Sequence, residues 1–356
     1  MSIEKCREKI DIIDSKIVNL LDERSKHVKE IGKLKKDSGK AFFDAARQRK
    51  IVSRIVSEGK GDFPKPALKK VFVEIMSACL ALEKPIQIGY LGPEATFSHQ
   101  AALNEFGDFS KYVPYKTISD IFVGIDKGWV DFGVVPIENS TGGIIHNTLD
   151  MFLEKDLSIC SEIFLAIKEN LLSNIPLDKI KKIYSHPSPF LQCQVWLKEN
   201  LPHADQIEVA STVQGVKNAL KESHAAAIGG ELAAKLYKIN ILEEGIEDVR
   251  DNCTRFLVIG KQSSKPTGKD KTSVMFSIKD KPGALQGILK PFSDRKINLT
   301  KIESRPTKRR AWEYVFFVDL EGHIEDKIVQ EALKEIEEFC VFIRILGSYP
   351  REVEIV

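Results

Sequence analysis

The first 84 residues carry the hydrophobic pattern of long helices. Within residues 3–37, apolar side chains recur at steps of three and four, which is the period of one helix face. At a rise of 1.5 Å per residue this helix would be about 50 Å long, too long for a small domain to bury its apolar stripe. The pattern therefore predicts a partner helix from a second copy of the chain. Two shorter helices are expected over 44–57 and 66–83.

After Pro85 the chain changes to short apolar runs, most of which alternate with helical stretches. This alternation is typical of an α/β domain with a largely parallel sheet. A polar linker follows at 263–271, and beyond it the pattern predicts a βαββαβ order, which is the ferredoxin-like arrangement. The elements expected there cover 272–278, 283–295, 297–305, 312–320, 325–338 and 339–347. Three domains are therefore predicted, over 1–84, 85–262 and 271–356.

The composition of the 356 residues is that of an ordinary globular protein, with 43% hydrophobic and 29% charged residues. No apolar run approaches about 18 residues, and the start has no apolar segment, so neither a membrane span nor a signal peptide is expected. Six cysteines are scattered without a CxxC spacing, which favours reduced thiols, a cytoplasmic location and no structural zinc. A net charge of +2 argues against a nucleic-acid partner.

The charge is nevertheless uneven along the chain. Residues 1–84 carry 20 Lys and Arg against 13 Asp and Glu, a net charge of +7. This excess indicates an anionic ligand, with a solvated basic face as the alternative. Arg24 and Lys35 fall within the apolar stripe of the first helix, and Arg47 shares the apolar face of the second. Burying such a cation costs free energy unless an anion pairs with it, which favours an anionic ligand. A salt bridge within the protein, or a side chain long enough to place its charge in water, would also avoid this cost.

Residues 3–84 resemble the all-helical chorismate mutase family, through the motifs REKID and ER in the first helix and EIMSACLALE in the third. The resemblance implies a dimer in which two long first helices pair and each site binds the dianion chorismate. The Claisen rearrangement needs a compact substrate conformer and positive charge near the breaking ether bond, and it needs no base, nucleophile or metal. The implied substrate contacts are Arg7 of the partner subunit, Arg24, Lys35, Asp44 and Arg47.

Three positions depart from the family pattern. Gln48 stands where the family usually has Glu, Cys79 where Ser is common, and Glu83 where a Gln usually donates to the ether oxygen. The resemblance therefore places Gln48 and Cys79 among the substrate-binding residues and makes Glu83 a catalytic candidate beside Arg24 and Lys35. Because a carboxyl group donates a hydrogen bond only when it is protonated, we expect this mutase to favour acidic pH.

Small polar residues gather at the predicted strand-to-helix junctions of the middle domain. The segments are GPEATFSHQA, PIENSTGG, SHPSPFLQC and the pair Ser211-Thr212. Ligands of open α/β sheets bind at the carboxyl ends of the strands, where helix N-termini favour anions. Each junction alone could be an ordinary helix N-cap, but four in one domain favour a binding cleft.

Four motifs, GPEATFS, PIENSTGG, SHP with Cys193, and N-TRF, together resemble prephenate dehydratase over residues 86–260. The resemblance implies two α/β lobes around a hinged cleft, like the type II periplasmic-binding-protein fold, and conversion of prephenate to phenylpyruvate with loss of CO2 and hydroxide. That reaction needs a proton donor for the departing hydroxyl and cations or amides for the carboxylates.

The resemblance also assigns residues to these roles. Thr254 matches the family's essential Thr and is implied as the contact to the leaving group, while Arg255 would hold a carboxylate. The other implied cleft residues are Thr96, Ser98, Glu138, Asn139, Ser140, Thr141, Ser185 and Gln192. His99, His146 and His186 are interpreted as structural, because no catalytic-triad or metal-ligand spacing is found. No metal and no cofactor are expected.

The last domain resembles the ACT domain fused to prephenate dehydratases, through DKPGALQGILKPF and INLTKIESRP. The resemblance implies that L-phenylalanine binds between two such domains and lowers the dehydratase activity. The implied effector site consists of Gly283, Ala284, Leu285, Asn298, Leu299, Glu303, Ser304, Arg305 and Pro306.

All three resemblances concern neighbouring steps of phenylalanine biosynthesis. The sequence therefore predicts a multidomain, homo-oligomeric chorismate mutase and prephenate dehydratase that L-phenylalanine inhibits. One alternative is a non-catalytic amino-acid sensor, against which Arg24, Lys35, Arg47 and the TRF motif speak. Another alternative is an enzyme that prefers arogenate to prephenate, which these motifs do not exclude.

Overall fold

The computed structural model describes residues 2–38, 42–279, 281–306 and 314–352. The chain divides into two compact units. The first comprises Met1–Ile86 and Phe106–Lys111, and the second comprises Gln87–Glu105 and Tyr112–Val356. Residues 312–313 of the predicted strand 312–320, and the last four residues of the predicted third domain, lie outside the described residues.

Three helices make up most of the first unit, as the periodicity predicts: α1 (Ile3–Ser38), α2 (Ala45–Glu58) and α3 (Lys65–Glu83). The apolar stripe of α1 is open to solvent along its first half, where Ile10, Ile13 and Ile17 are each about half exposed. The prediction that one chain cannot bury this stripe is thus confirmed. Near its C-terminal end, α1 approaches α3 closely at Gly32, where an added Cβ would lie 3.3 Å from Glu83.

The second unit begins with a sheet of six strands in the order β2-β1-β3-β11-β5, with β4 paired to β3. Its strands and helices are β1 (Gln87–Leu91), α4 (Phe97–Phe106), β2 (Lys111–Tyr115), α5 (Ile118–Asp126), β3 (Phe132–Asn139), β4 (Gly143–Ile144), α6 (His146–Glu154), β5 (Ser158–Ala166) and β11 (Cys253–Gly260). The sheet is mixed rather than largely parallel, because β11 returns late in the chain and runs antiparallel between β3 and β5.

A second sheet, of five strands in the order β10-β6-β9-β7-β8, forms from the chain between β5 and β11. Its elements are β6 (Asn170–Leu172), β7 (Lys182–Ser185), α7 (Pro187–Gln192), α8 (Gln194–Asn200), β8 (Asp205–Glu208), α9 (Thr212–Ala219), β9 (Ala225–Gly229), α10 (Glu231–Tyr237) and β10 (Ile241–Glu243), with a short 3-10 turn at Leu177–Lys179. The chain thus leaves the first sheet after β5 and re-enters it at β11, which gives the two lobes that the resemblance implies.

The last part of the chain has the predicted βαββαβ order and forms an antiparallel sheet in the order β13-β14-β12-β15. Its elements are β12 (Asp270–Ile278), α11 (Ala284–Asp294), β13 (Leu299–Pro306), β14 (Tyr314–Glu321), α12 (Lys327–Ile336), a 3-10 turn at Glu337–Phe339, and β15 (Cys340–Pro350).

Both faces of this last sheet are buried at its central strands, β12 and β14. One face, with Val274 and Val318, packs under α11 and α12. The other, with Met275 and Phe317, belongs to the same core as residues of β5 and β11, such as Leu257. This shared core explains why everything from residue 112 onwards forms one compact unit although the sequence indicates two domains there. Within the described residues, no helix is both long and apolar enough to cross a membrane.

Candidate functional sites

Four of the residues predicted for the mutase site meet between α1 and α3. Lys35 Nζ donates to Glu83 Oε2 at 2.7 Å and to the carbonyl of Phe42 at 2.8 Å. Arg24 Nη1 donates to the Cys79 sulfur. The Glu83 side chain is only 9% exposed. Two cations of the first helix are therefore directed at one partly buried site, and a carboxylate of the chain itself is held by one of them.

The other predicted mutase residues lie around this cluster or away from it. Asp44 caps α2, because its carboxylate accepts from the backbone N–H of Arg47 at 2.9 Å. Arg47 is exposed and Gln48 half-buried. Arg7 is exposed on α1, and 17 residues of straight helix separate it from Arg24, about 25 Å along the axis. Arg7 is therefore too far along the helix to reach the Arg24 side chain of its own chain.

In the second unit, the register of β11 against β3 places Thr254 opposite Asn139. The Asn139 side-chain amide donates to Thr254 Oγ1 and to Asn252 Oδ1, each at 2.8 Å. Thr254 and Asn252 are buried. The N-TRF and PIENSTGG motifs, more than a hundred residues apart in sequence, thus form one hydrogen-bonded cluster.

The STGG loop is ordered by the same cluster. Asn139 Oδ1 accepts from the Thr141 hydroxyl at 2.8 Å and from the backbone N–H of Gly142 at 2.7 Å. Ser140 Oγ accepts from the backbone N–H of Cys253 at 2.9 Å. Both motif segments are therefore held by each other before any ligand binds.

Asn252 is a cluster residue that the sequence analysis quotes within its motif without assigning a role to it. Its amide nitrogen is buried and has no hydrogen-bond partner in the described part of the chain. A buried donor without a partner is costly, so this amide is a strong candidate for a ligand contact.

The remaining predicted cleft residues lie outside this hydrogen-bonded cluster. Glu138 pairs with Lys301 at 2.9 Å. Thr96 Oγ1 donates to the carbonyl of Leu91 at 2.9 Å, and Ser98 is buried. In the second lobe, Ser185 is buried at the end of β7 and donates to a backbone carbonyl at 3.2 Å. The amide oxygen of Gln192 is buried without a partner among the described residues.

Glu169, just before β6, is a buried carboxyl group that the sequence analysis does not single out. One of its carboxylate oxygens has no hydrogen-bond partner within the described residues, and the nearby Glu247 carboxylate accepts from the Glu169 backbone N–H at 2.9 Å. Burial, together with the charge of Glu247, raises the pKa of Glu169 to about 8. The folded chain therefore holds this carboxyl protonated at neutral pH.

Arg255 does not share the environment of Thr254, because adjacent strand residues face opposite sides of a sheet. Its guanidinium donates to Glu162 Oε2 at 2.8 Å, to Asp319 Oδ2 at 2.6 Å and to the Tyr349 hydroxyl at 3.0 Å. Lys271 joins the cluster through Glu162 at 2.8 Å. With all these partners Arg255 is not available to a substrate, so the predicted role as a carboxylate contact does not fit its position.

Each charged group in this cluster keeps its partner ionised. Burial alone would lower the pKa of Arg255, but Asp319, Tyr349 and Glu162 outweigh it and raise that pKa well above its ordinary value. Burial would likewise raise the pKa of Asp319, but Arg255 and a hydrogen bond from Ser273 hold it below its ordinary value. Both ion-pair partners are therefore ionised, and they join β11 to β14 and β15.

The predicted effector residues divide between two faces of β13. Ser304 and Pro306 are exposed, whereas Leu299, Glu303 and Arg305 are half-buried on the opposite face. Arg305 Nη2 lies 2.9 Å from Asp150 Oδ1 on α6. Arg305 is thus directed away from the face of Ser304, towards α6 of the dehydratase domain.

The remaining effector residues lie near the start of α11 and before β13. Gly283 precedes α11 with a φ of 78°, a left-handed conformation that favours glycine. Ala284 is buried and Leu285 exposed, while Asn298 is exposed and its carbonyl accepts from the backbone N–H of Glu321. Across the described residues, no group of three or more His, Cys, Asp or Glu side chains could hold a metal ion.

Comparison with known proteins accounts for the whole chain. Family models match three consecutive segments: chorismate mutase type II at residues 6–84, prephenate dehydratase at 88–264 and the ACT domain at 272–338. A bifunctional chorismate mutase/prephenate dehydratase of Aquifex aeolicus is 48% identical over 354 residues, which cover 98% of each chain. The chain belongs to the bifunctional chorismate mutase/prephenate dehydratase family.

Other relatives agree with this family assignment. The Pseudomonas aeruginosa protein of the same name is 40% identical over 99% of this chain and 98% of its own. Among solved structures, the prephenate dehydratase of Arthrobacter aurescens in complex with L-Phe is 33% identical with a TM-score of 0.70, and it covers 75% of this chain and 90% of its own. The chain therefore contains both enzyme domains of this family and its ACT domain.

Proposed function

We propose that this bifunctional chorismate mutase/prephenate dehydratase rearranges chorismate to prephenate within residues 1–84 and converts prephenate to phenylpyruvate within 85–262. L-phenylalanine acts on 271–356 as a feedback inhibitor. The observation that carries the dehydratase assignment is the hydrogen-bonded cluster of Thr254, Asn139 and Asn252 where β11 meets β3.

The chemistry of the dehydratase step fits this cluster. Thr254 Oγ1 already accepts from Asn139, so the hydroxyl keeps its own proton for donation to the departing hydroxide. The unpartnered amide of Asn252 provides a donor for a substrate carboxylate. The electron pair released with CO2 expels the hydroxide, so electrons balance within the substrate and the ring becomes aromatic.

The mutase step uses positive charge rather than proton transfer. Lys35 and Arg24 are the cations that would meet the substrate carboxylate and the ether oxygen, and Lys35 is occupied here by Glu83. Chorismate would therefore compete with Glu83 for Lys35, whose ammonium group already donates to Glu83 and to the carbonyl of Phe42. Arg7 of the partner subunit would complete the site through paired α1 helices.

The effector assignment follows from the ACT domain and from the related structure that contains L-Phe. Residues Gly283 and Ala284 with Ser304 and Pro306 are the proposed contacts, since Ser304 and Pro306 lie on the exposed face of β13. All six cysteines are free thiols, which supports a reducing compartment, the cytoplasm.

The deciding experiment supplies the purified chain with chorismate and measures prephenate and phenylpyruvate over time, with and without L-phenylalanine. Both products should form, and L-phenylalanine should suppress phenylpyruvate. A chain that binds L-phenylalanine but turns over neither substrate would be an amino-acid sensor. Arogenate is tested in parallel, because an Arabidopsis thaliana relative named arogenate dehydratase/prephenate dehydratase is 35% identical over 74% of this chain.

A further inference from the structure

Strand β13 has two chemically different faces. Residues Thr300, Ile302, Ser304 and Pro306 are exposed, while the alternate residues from Leu299 to Arg305 are half-buried. Lys301 pairs with Asp319 across to β14, and Arg305 pairs with Val315, so this second face is the one that packs on the dehydratase sheet. One strand therefore contacts the dehydratase domain with one face while its other face is open to a ligand.

Two cations on the inner face form ion pairs with the dehydratase domain. Lys301 Nζ lies 2.9 Å from Glu138 Oε2, and Arg305 Nη2 lies 2.9 Å from Asp150 Oδ1. The Lys301 and Arg305 side chains are only 11% and 13% exposed, while their partners Glu138 and Asp150 are 41% and 26% exposed, so water reaches both pairs from the carboxylate side only. Arg305 Nε is buried with no hydrogen-bond partner in the described residues, so this guanidinium has a donor left for a second arrangement.

Both carboxylates are carried by elements connected to the Thr254 cluster. Glu138 directly precedes Asn139, which donates to Thr254. Asp150 lies on α6, the helix that follows the STGG loop. That helix is bonded to β3, because the Thr148 hydroxyl donates to the carbonyl of Pro136. A shift of β13 would therefore be transmitted to β3 and to α6 together.

We propose that Lys301 and Arg305 are the link through which a ligand on the outer face of β13 alters the dehydratase cleft. The proposal rests on the proposed function and specifies how L-phenylalanine would act. The pairs with Glu138 and Asp150 are made in one state of the enzyme and exchanged in the other. A ligand shifts such an equilibrium only by binding the two states differently, and a ligand that repositions β13 does so.

Because Lys301 and Arg305 face away from the proposed ligand face, variants of these ion pairs should change the coupling between the sites without changing the affinity for L-phenylalanine. The half-saturating concentration of prephenate is measured with and without saturating L-phenylalanine, and the Kd of L-phenylalanine is measured separately by equilibrium dialysis. For the native chain, we expect saturating L-phenylalanine to raise the half-saturating concentration of prephenate about tenfold, which is in the usual range of coupling between two sites.

The two test variants, Asp150→Asn and Lys301→Met, each remove one charge. In each variant, we expect L-phenylalanine to raise the half-saturating concentration of prephenate by less than about threefold. The Kd of L-phenylalanine should stay within about threefold of the native value. Lys301→Arg keeps the charge and should keep the coupling. Glu335→Gln is the matched control, since it breaks an ion pair with Arg295 at 2.8 Å that lies entirely between α11 and α12.

Native coupling in both Asp150→Asn and Lys301→Met would overturn the proposal. So would loss of L-phenylalanine affinity by the same factor as loss of inhibition, because the side chains would then be ligand contacts. A native chain that forms no phenylpyruvate, or that L-phenylalanine does not inhibit, would instead refute the proposed function itself.

Discussion

The hydroxyl of Thr254 accepts a hydrogen bond from Asn139, and in the proposed mechanism its own proton goes to the departing hydroxide. Removing the hydroxyl group in Thr254→Ala should lower the dehydratase kcat by about 10²-fold or more, which is the usual contribution of a positioned proton donor. Chorismate turnover should be unaffected, because that site lies in the other unit. Separate assays of prephenate and phenylpyruvate formation test this, with Thr254→Ser as the control that keeps the hydroxyl. An unchanged phenylpyruvate rate in Thr254→Ala would remove Thr254 from the mechanism.

The carboxyl of Glu169 gives a prediction about stability. Its pKa is raised to about 8 by burial, whereas the unfolded chain releases the same proton near pH 4.3. Between these values the folded state binds the extra proton, so its stability falls as pH rises, by about 1.4 kcal/mol per pH unit.

Glu169→Gln removes this titration. At pH 5 we expect the free energy of unfolding of the variant to be close to that of the native chain. At pH 8 we expect the variant to be clearly more stable than the native chain. Urea unfolding at both pH values measures the difference, and Glu231→Gln is the control because Glu231 is an exposed carboxylate of the same lobe. Equal effects of Glu169→Gln at the two pH values would show that the carboxyl is ionised in the fold.

Glu83 holds Lys35 at 2.7 Å in the mutase cluster. In Glu83→Gln the amide can donate to the ether oxygen and no longer neutralises Lys35. Mutase activity at neutral pH should therefore rise about five- to tenfold, the value of one hydrogen bond. Steady-state rates of prephenate formation provide the measurement. An unchanged or lower rate in Glu83→Gln would contradict the proposed role of Glu83.

Among the elements, helix α1 gives a prediction about pairing between two copies of the chain. Its apolar stripe is exposed in a single chain, and Arg7 is too far along the helix to serve its own site. Ile17→Glu would bury a charge between the paired helices, so mutase activity should fall by at least about tenfold. Ser15→Glu, on the opposite face, should have little effect. Phenylpyruvate formation from prephenate should stay the same in both variants; equal mutase rates in the two would exclude pairing through this stripe.

Strand β11 shows why one element can serve both catalysis and stability. Its odd and even residues point to opposite sides, so Thr254 belongs to the catalytic cluster and Arg255 to the buried ion pairs with Asp319 and Glu162. A residue next to a catalytic one need not touch the substrate. The adjacent Arg255 instead joins β11 to β14 and β15 through Asp319 and Tyr349.

At the scale of the whole molecule, this buried ion cluster joins the ACT domain to the dehydratase domain. Asp319→Asn leaves Arg255 with fewer anionic partners, so we expect a loss of about 3 kcal/mol in the free energy of unfolding. Urea unfolding of the full chain measures this loss. Asp294→Asn, which breaks an exposed pair with Lys290, should change the midpoint little. Equal midpoints for the two variants would contradict a stabilising role for the cluster.

The sequence by itself predicts what depends on local pattern. The helical period places α1 over nearly its observed length, and the order of apolar runs, glycines and prolines predicts the ferredoxin-like arrangement. Motifs such as N-TRF and PIENSTGG identify the family, because their chemistry is carried by short runs of adjacent residues.

The tertiary structure alone decides which partner each side chain meets. Arg255 and Asp319 are 64 residues apart in sequence, and Lys301 and Glu138 are 163 apart. No local pattern encodes these contacts, because they depend on the antiparallel return of β11 and on the packing of the last sheet against the first. The sequence therefore shows that Arg255 and Arg305 flank functional positions. Only the fold shows that both face inward, towards carboxylates of this chain rather than towards a ligand.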